Sequence, residues 1–120
     1  MSVALLFPGQ GSQFIGMGKD FSSEFSVANQ VFSDLDQILG RPLTELMFDG
    51  NIDELTLTTN SQPAIMAVSS AILESIRSEN LINFADVKAV AGHSLGEYSA
   101  LYAANSIFFS SSIELLEVRS

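Results

Sequence analysis

The stretch AGHSLGEYSA, residues 91–100, places a serine between two glycines, Gly92 and Gly96, directly after the chain's one histidine, His93. The residues before it, DVKAVAG (86–92), read as a short strand. Those after it, SLGEYSALYAAN (94–105), read as a helix that leaves the strand at once. Gly-x-Ser-x-Gly at such a junction has a mechanical meaning. The chain reverses sharply, the serine hydroxyl stands above the sheet, and a side chain two residues to either side would meet backbone. The amide of Leu95, at the start of the helix, then points where an oxyanion would form on a carbonyl attacked by Ser94. A second reading accounts for the same residues without chemistry. Ser94 with Glu97 three residues on is a capping box.

A nucleophilic serine needs a base within about 3 Å of its hydroxyl. His93 fails on geometry, because adjacent side chains at a tight turn leave in divergent directions. Serine triads draw their histidine from a distant segment. With no other histidine in 120 residues, either Ser94 is not a nucleophile or its base lies past residue 120.

Working outward, SVALLF (2–7) is a second apolar run, closed by Pro8 and Gly9, and reads as a buried strand. The following PGQGSQFIGMG (8–18) carries four glycines and reads as a loop. It is a poor dinucleotide fingerprint, since Phe14 stands where the third glycine belongs, and it lacks the Gly-Lys-Ser/Thr of a phosphate loop. A loop at the carboxyl end of one parallel strand can instead present an amide to the tip of its neighbour, giving a two-donor oxyanion hole.

From Ser26, the spacing of Ala28, Val31, Phe32, Leu35, Ile38 and Leu39 predicts a helix, closed by Gly40 with Pro42 beyond. A short helix is expected around Leu43–Met47, and FDGNIDE (48–54) reads as a turn. The next long helix is expected to begin near Asn60 or Ser61 as cap, with Pro63 in its first turn. Ile65, Val68, Ile72 and Ile76 form its apolar stripe, and Ala64, Ala67 and Ala71 would let it approach a sheet. SSSIELLEVRS (110–120) starts a last helix.

This is α/β wiring, but two strands with four or five helices make half an architecture, because parallel sheets normally bury both faces and use several strands. The expectation is one domain over 1–120, the N-terminal portion of something larger.

Composition excludes several classes. Lys and Arg total 5 against 14 Asp and Glu, a formal charge of -9, which argues against nucleic acid and anionic membrane surfaces. The absence of cysteine removes disulfides, thiolate nucleophiles and Cys-based metal sites. No signal peptide or membrane span is legible, and a soluble, cytoplasmic protein is expected.

FPGQGSQ (7–13), QPA (62–64), GHSLGEYSAL (92–101) and Arg119 together resemble the malonyl-CoA:acyl carrier protein transacylases, over essentially the whole chain. The resemblance implies an α/β-hydrolase-like acyltransferase core with parallel strands, of which this chain would be the N-terminal part. The remaining core and a ferredoxin-like subdomain would lie outside it. It further implies that Ser94 is the acyl-accepting nucleophile and that the backbone amides of Gln10 and Leu95 form the oxyanion hole. Arg119 would pair with the free carboxylate of malonate, with no cofactor and with malonyl-CoA and acyl carrier protein as substrate and partner in fatty acid biosynthesis. A planar guanidinium suits that carboxylate; read without the resemblance, Arg119 is a cation favoured by a helix end. The family's histidine has no counterpart here, so the chain alone is expected to be inactive. Asn105 and Ser120 stand where the family usually has glycine. Rival readings are a serine thioesterase or esterase, with water as acceptor, and a truncated non-catalytic binding module.

Overall fold

The computed structural model describes residues 2–93, 95–105 and 107–119, the side chains of residues 118 and 119 excepted. Strand β1 (Val3–Phe7) is followed by helices α1 (Lys19–Glu24), α2 (Ser26–Leu39), α3 (Leu43–Asp49), α4 (Ile52–Thr56) and α5 (Thr58–Ser78). A 3-10 turn (Phe84–Asp86) leads into β2 (Val87–Gly92), then α6 (Gly96–Ala103) and α7 (Phe109–Arg119).

The two strands pair in parallel, with Phe7 opposite Gly92. Flush ends put the loop after β1 and the turn after β2 side by side. Neither strand has a fully buried residue and Leu6 is 79% exposed, so 2–7 is not the buried strand its apolar run suggested: the helices leave one face of the two-stranded sheet uncovered.

The core lies among the helices. Ala28, Val31, Phe32 and Leu35 of α2 form one buried face, as their spacing predicts, and Gly40 ends that helix at φ 69°. They cluster with Ala64, Ile65, Met66, Ala67 and Ala71 of α5 and with Ile113 and Leu116 of α7. Each large apolar side chain fully buried there contributes roughly 1.5–3 kcal/mol.

Four further local expectations are corrected. Lys19–Glu24, not anticipated as helical, forms α1. Part of the expected turn at 48–54 belongs to α4, because the Asn51 side chain accepts hydrogen bonds from the Asp53 and Glu54 amides and caps a helical turn. Helix α5 starts at Thr58, earlier than the Asn60/Ser61 cap placed it, so Pro63 is inside the helix. Proline cannot donate to the carbonyl four residues back, and that carbonyl, Thr59 O, accepts from Arg41 Nη2 at 2.9 Å instead. The alanines of α5 serve helix–helix packing, α5 being packed on α2, α6 and α7 rather than on the strands. An apolar groove of about 430 Å³ separates it from β1, lined by Leu6, Phe14, Val68, Ile72 and Ile76 among others.

Candidate active site

The register of the sheet brings two loops to one place. Loop 8–14 leaves β1 and the 93–95 turn leaves β2 at the same end. How closely they meet is shown by what glycine permits there. A Cβ on Gly9 would overlap the His93 carbonyl oxygen and lie 3.7 Å from the Leu95 amide nitrogen. Within the turn, a Cβ on Gly92 would overlap the Gly96 carbonyl, and one on Gly96 would overlap the carbonyl of Phe7. These neighbours are backbone, so they cannot swing aside. The requirement for glycine at both flanks of Ser94 is therefore steric, as the motif reading held.

The turn is locked by its own hydrogen bonds. Gly96 N donates to His93 O at 3.0 Å, and Tyr98 N donates to Leu95 O at 3.0 Å. Leu95 is fully buried and already helical, at φ -53° and ψ -35°. Ser94 itself, and with it the capping-box reading, lies outside the described residues. His93 is exposed, and its imidazole makes no hydrogen bond or ion pair with a described residue.

The loop after β1 is braced from within and from below. Ser12 N and Oγ both donate to Gly9 O, at 3.3 and 2.7 Å, and Gly11 N donates to Gln13 Oε1 at 2.9 Å. The Gln10 side chain is turned toward α5, where Nε2 donates to the fully buried Ser61 Oγ at 2.9 Å. Among the described residues, the backbone N–H groups of Gln10 and Leu95 have no hydrogen-bond partner. Two amide donors left open, on loops that touch, are what an oxyanion hole requires before a substrate arrives.

Arg119 is the last residue of α7; its side chain lies outside the described residues. The turn before it is anchored to α5. Arg41 donates to Asn60 Oδ1 at 2.5 Å, to Thr59 O at 2.9 Å and to Glu117 Oε1 at 3.2 Å. Asn105, one of the two departures from the family pattern, sits at φ 59°. Asparagine is the side chain that best replaces glycine in that left-handed conformation, so the departure leaves the end of α6 intact. The other, Ser120, lies outside the described residues.

Behind the turn, α6 is clamped to α5. Ser99 Oγ donates to Met66 Sδ at 3.2 Å, and Tyr102 Oη donates to Glu74 Oε1 at 2.9 Å. Burial first, and then the Glu74 carboxylate, push the Tyr102 hydroxyl above its ordinary range. This tyrosine is a strut between α6 and α5. Sequence reasoning missed the bracing roles of Ser61 and Arg41, whose partners are 51 and up to 76 residues away. No local pattern announces such pairs. No group of three or more His, Asp or Glu among the described residues could hold a metal ion. No helix among them is long and apolar enough to cross a membrane.

Comparison with known proteins agrees with this geometry. The family model described as acyl transferase domain matches residues 4–120. Malonyl CoA-acyl carrier protein transacylase of Bacillus subtilis (strain 168) is 44% identical over 117 residues, covering 98% of this chain and 36% of its own length. The crystal structure of acyl-carrier-protein-S-malonyltransferase from Bartonella henselae superposes with a TM-score of 0.94 at 48% identity, covering 99% of this chain and 38% of that one. A malonyl-transacylase solved in complex with a type II polyketide synthase acyl-carrier protein gives a TM-score of 0.92 at 40% identity, with 99% and 38% covered. This chain thus spans a little over a third of the length of these relatives. With the steric signature of the Ser94 turn and a match from residue 4 to residue 120, it belongs to the acyl transferase domain family.

Proposed function

We propose that the protein carrying this chain moves a malonyl group from malonyl-CoA to the phosphopantetheine thiol of an acyl carrier protein, through a malonyl-serine at Ser94, in fatty acid biosynthesis in the cytoplasm. The observation that supports the reading is the close approach of Gly9 to the His93 carbonyl and the Leu95 amide, on two loops whose Gln10 and Leu95 N–H groups have no hydrogen-bond partner among the described residues.

Ser94 Oγ loses its proton to a base and attacks the thioester carbonyl. The electron pair moves onto the carbonyl oxygen, and the resulting oxyanion is held by the amides of Gln10 and Leu95. Collapse expels the coenzyme A thiolate, which takes up the proton. The carrier thiol then repeats the sequence on malonyl-serine, a ping-pong transfer. Arg119 selects malonyl over acetyl groups by pairing with the free carboxylate, because a desolvated guanidinium without its partner is costly. The base is not His93, which is exposed and adjacent to the nucleophile. It belongs to a segment outside these 120 residues, and the chain alone is accordingly inactive or nearly so.

Lys19, Arg41 and Arg77 are each ion-paired, to Asp49, Glu117 and Glu74. They form no open basic patch, so an acidic carrier protein docks mainly on surfaces outside this chain.

Mass spectrometry after brief incubation with malonyl-CoA tests the reading. A malonyl adduct on the Ser94 peptide is expected in the whole protein and not in the 1–120 chain. Release of free malonate in place of malonyl-carrier product would make it a thioesterase, and rapid turnover by 1–120 would place the base inside this chain.

A further inference from the structure

The loop that carries the Gln10 amide has few ties to the rest of the molecule. Gly9 and Gly11 flank Gln10, and Gly11 sits at φ 101°, where a Cβ would meet nothing within 4 Å. Two glycines around one residue leave its peptide groups free to rotate unless something else holds them. Ser12 closes back on Gly9, and Gln13 on Gly11. Those bonds shape the loop without fixing it to a neighbour. Among the described residues, one hydrogen bond fastens residues 9–14 to another element: Gln10 Nε2 donates to Ser61 Oγ at 2.9 Å.

Ser61 is well placed to hold that side chain. It is the fourth residue of α5, it is fully buried, and its own N–H is fixed on Leu57 O at 2.8 Å. A helical serine often turns its hydroxyl onto the carbonyl one turn back. Ser70 and Ser75 of the same helix do so, bonding Met66 O and Ala71 O at 2.8 Å. Among the described residues, the Ser61 hydroxyl makes no such bond and receives Gln10 instead. Either assignment of the Gln10 carboxamide keeps the contact, because a hydroxyl both donates and accepts. Beside Ser61, Thr59 O and Asn60 Oδ1 are held by Arg41, so the turn that bears the anchor is itself pinned.

We propose that Ser61 is a positioning residue for the oxyanion hole: its hydroxyl holds the Gln10 side chain and, through it, orients the Gln10 backbone N–H. This rests on the oxyanion role given to that amide above. A side chain fixed at its far end restricts rotation of the backbone that bears it, so a bond made on α5 is felt at the amide. The oxyanion exists only in the transition state. Loosening its donor therefore raises the barrier and leaves substrate binding nearly unchanged.

The test uses two variants of the whole protein, Ser61→Ala and Gln10→Met, which break the bond and keep every backbone amide. Each is expected to lower kcat for malonyl transfer about tenfold, less than the roughly 10²–10³ of losing a donor outright. KM should stay within about twofold of the parent. The double variant should be no slower than either single one, since both remove the same interaction. Gln10 is exposed, so Gln10→Met should keep the parent's urea midpoint and still be slow. Losses that multiply in the double variant, a loss in Ser61→Ala alone, or midpoints that fall in step with kcat would make Ser61 a packing residue and overturn the proposal. Mass spectrometry of the Ser94 peptide separates this proposal from the reading beneath it. If the parent forms no malonyl-serine, the transferase reading falls and takes this one with it. If the parent is malonylated and both variants keep its rate, only the role of Ser61 falls.

Discussion

The two ends of this molecule are built to different standards. Among α2, α5 and α7, side chains such as Leu35, Ile65, Met66, Ile113 and Leu116 are buried to 2% exposure or less. At the tips of β1 and β2, no strand residue is fully buried and close contact is made by backbone alone. Side-chain packing tolerates small errors at a graded cost, because neighbours relax. Backbone against backbone does not, and that rigidity fixes the loop after β1 against the turn after β2. The helical layer supplies stability, and the strand tips spend it on geometry.

Substitutions can set these regions against each other. The largest effect belongs to Ser94→Ala, which should lower malonyl transfer by the whole protein on the order of 10⁴-fold or more. The unfolding midpoint should barely move; a large drop in it would mean that the serine mainly caps α6. Next comes Gly9→Ala, whose methyl would strike the His93 carbonyl. It displaces the loop carrying the Gln10 amide, and on the proposed mechanism turnover should fall by about 10²–10³. An unchanged rate in a folded Gly9→Ala protein would remove the two-loop arrangement.

The core responds in the opposite sense. Leu35→Ala, at a fully buried position, should cost about 2–5 kcal/mol in denaturant unfolding. Activity per folded molecule should be preserved, and a proportionate loss of both would break the division between layers.

The smallest effect concerns the strut between them. The folded state holds the Tyr102 proton more tightly than the unfolded chain, where tyrosine titrates near pH 10. Above that pH the unfolded state binds fewer protons, so this contribution to stability is intact below about pH 10 and declines as pH rises beyond it. Urea midpoints at pH 8 and pH 11 should separate less in Tyr102→Phe than in the parent. That variant should lose about 1 kcal/mol at pH 8 with its hydrogen bond to Glu74.

The elbow around Ser94 was legible because a strand, two glycines and a helix start are local and jointly constrained. The role of Asn105 was not: the expected glycine marked a departure, and only the backbone angle showed that asparagine meets the same need. Helix α4 was hidden because Asn51 signals a turn and a cap equally well. Pro63 misled because its compensating donor, Arg41, lies 18 residues from the carbonyl it satisfies.

By itself, the order of residues determined the α/β wiring, the face of α2 and the sharp turn between Gly92 and Gly96. Each depends on groups within a few positions of one another. The tertiary structure alone decided that the loop after β1 touches the turn after β2, that α5 packs on helices, and that Gln62 Oε1 is buried without a hydrogen-bond partner among the described residues. Those facts depend on which distant atoms share a dry space, and nothing in a short window of sequence encodes that.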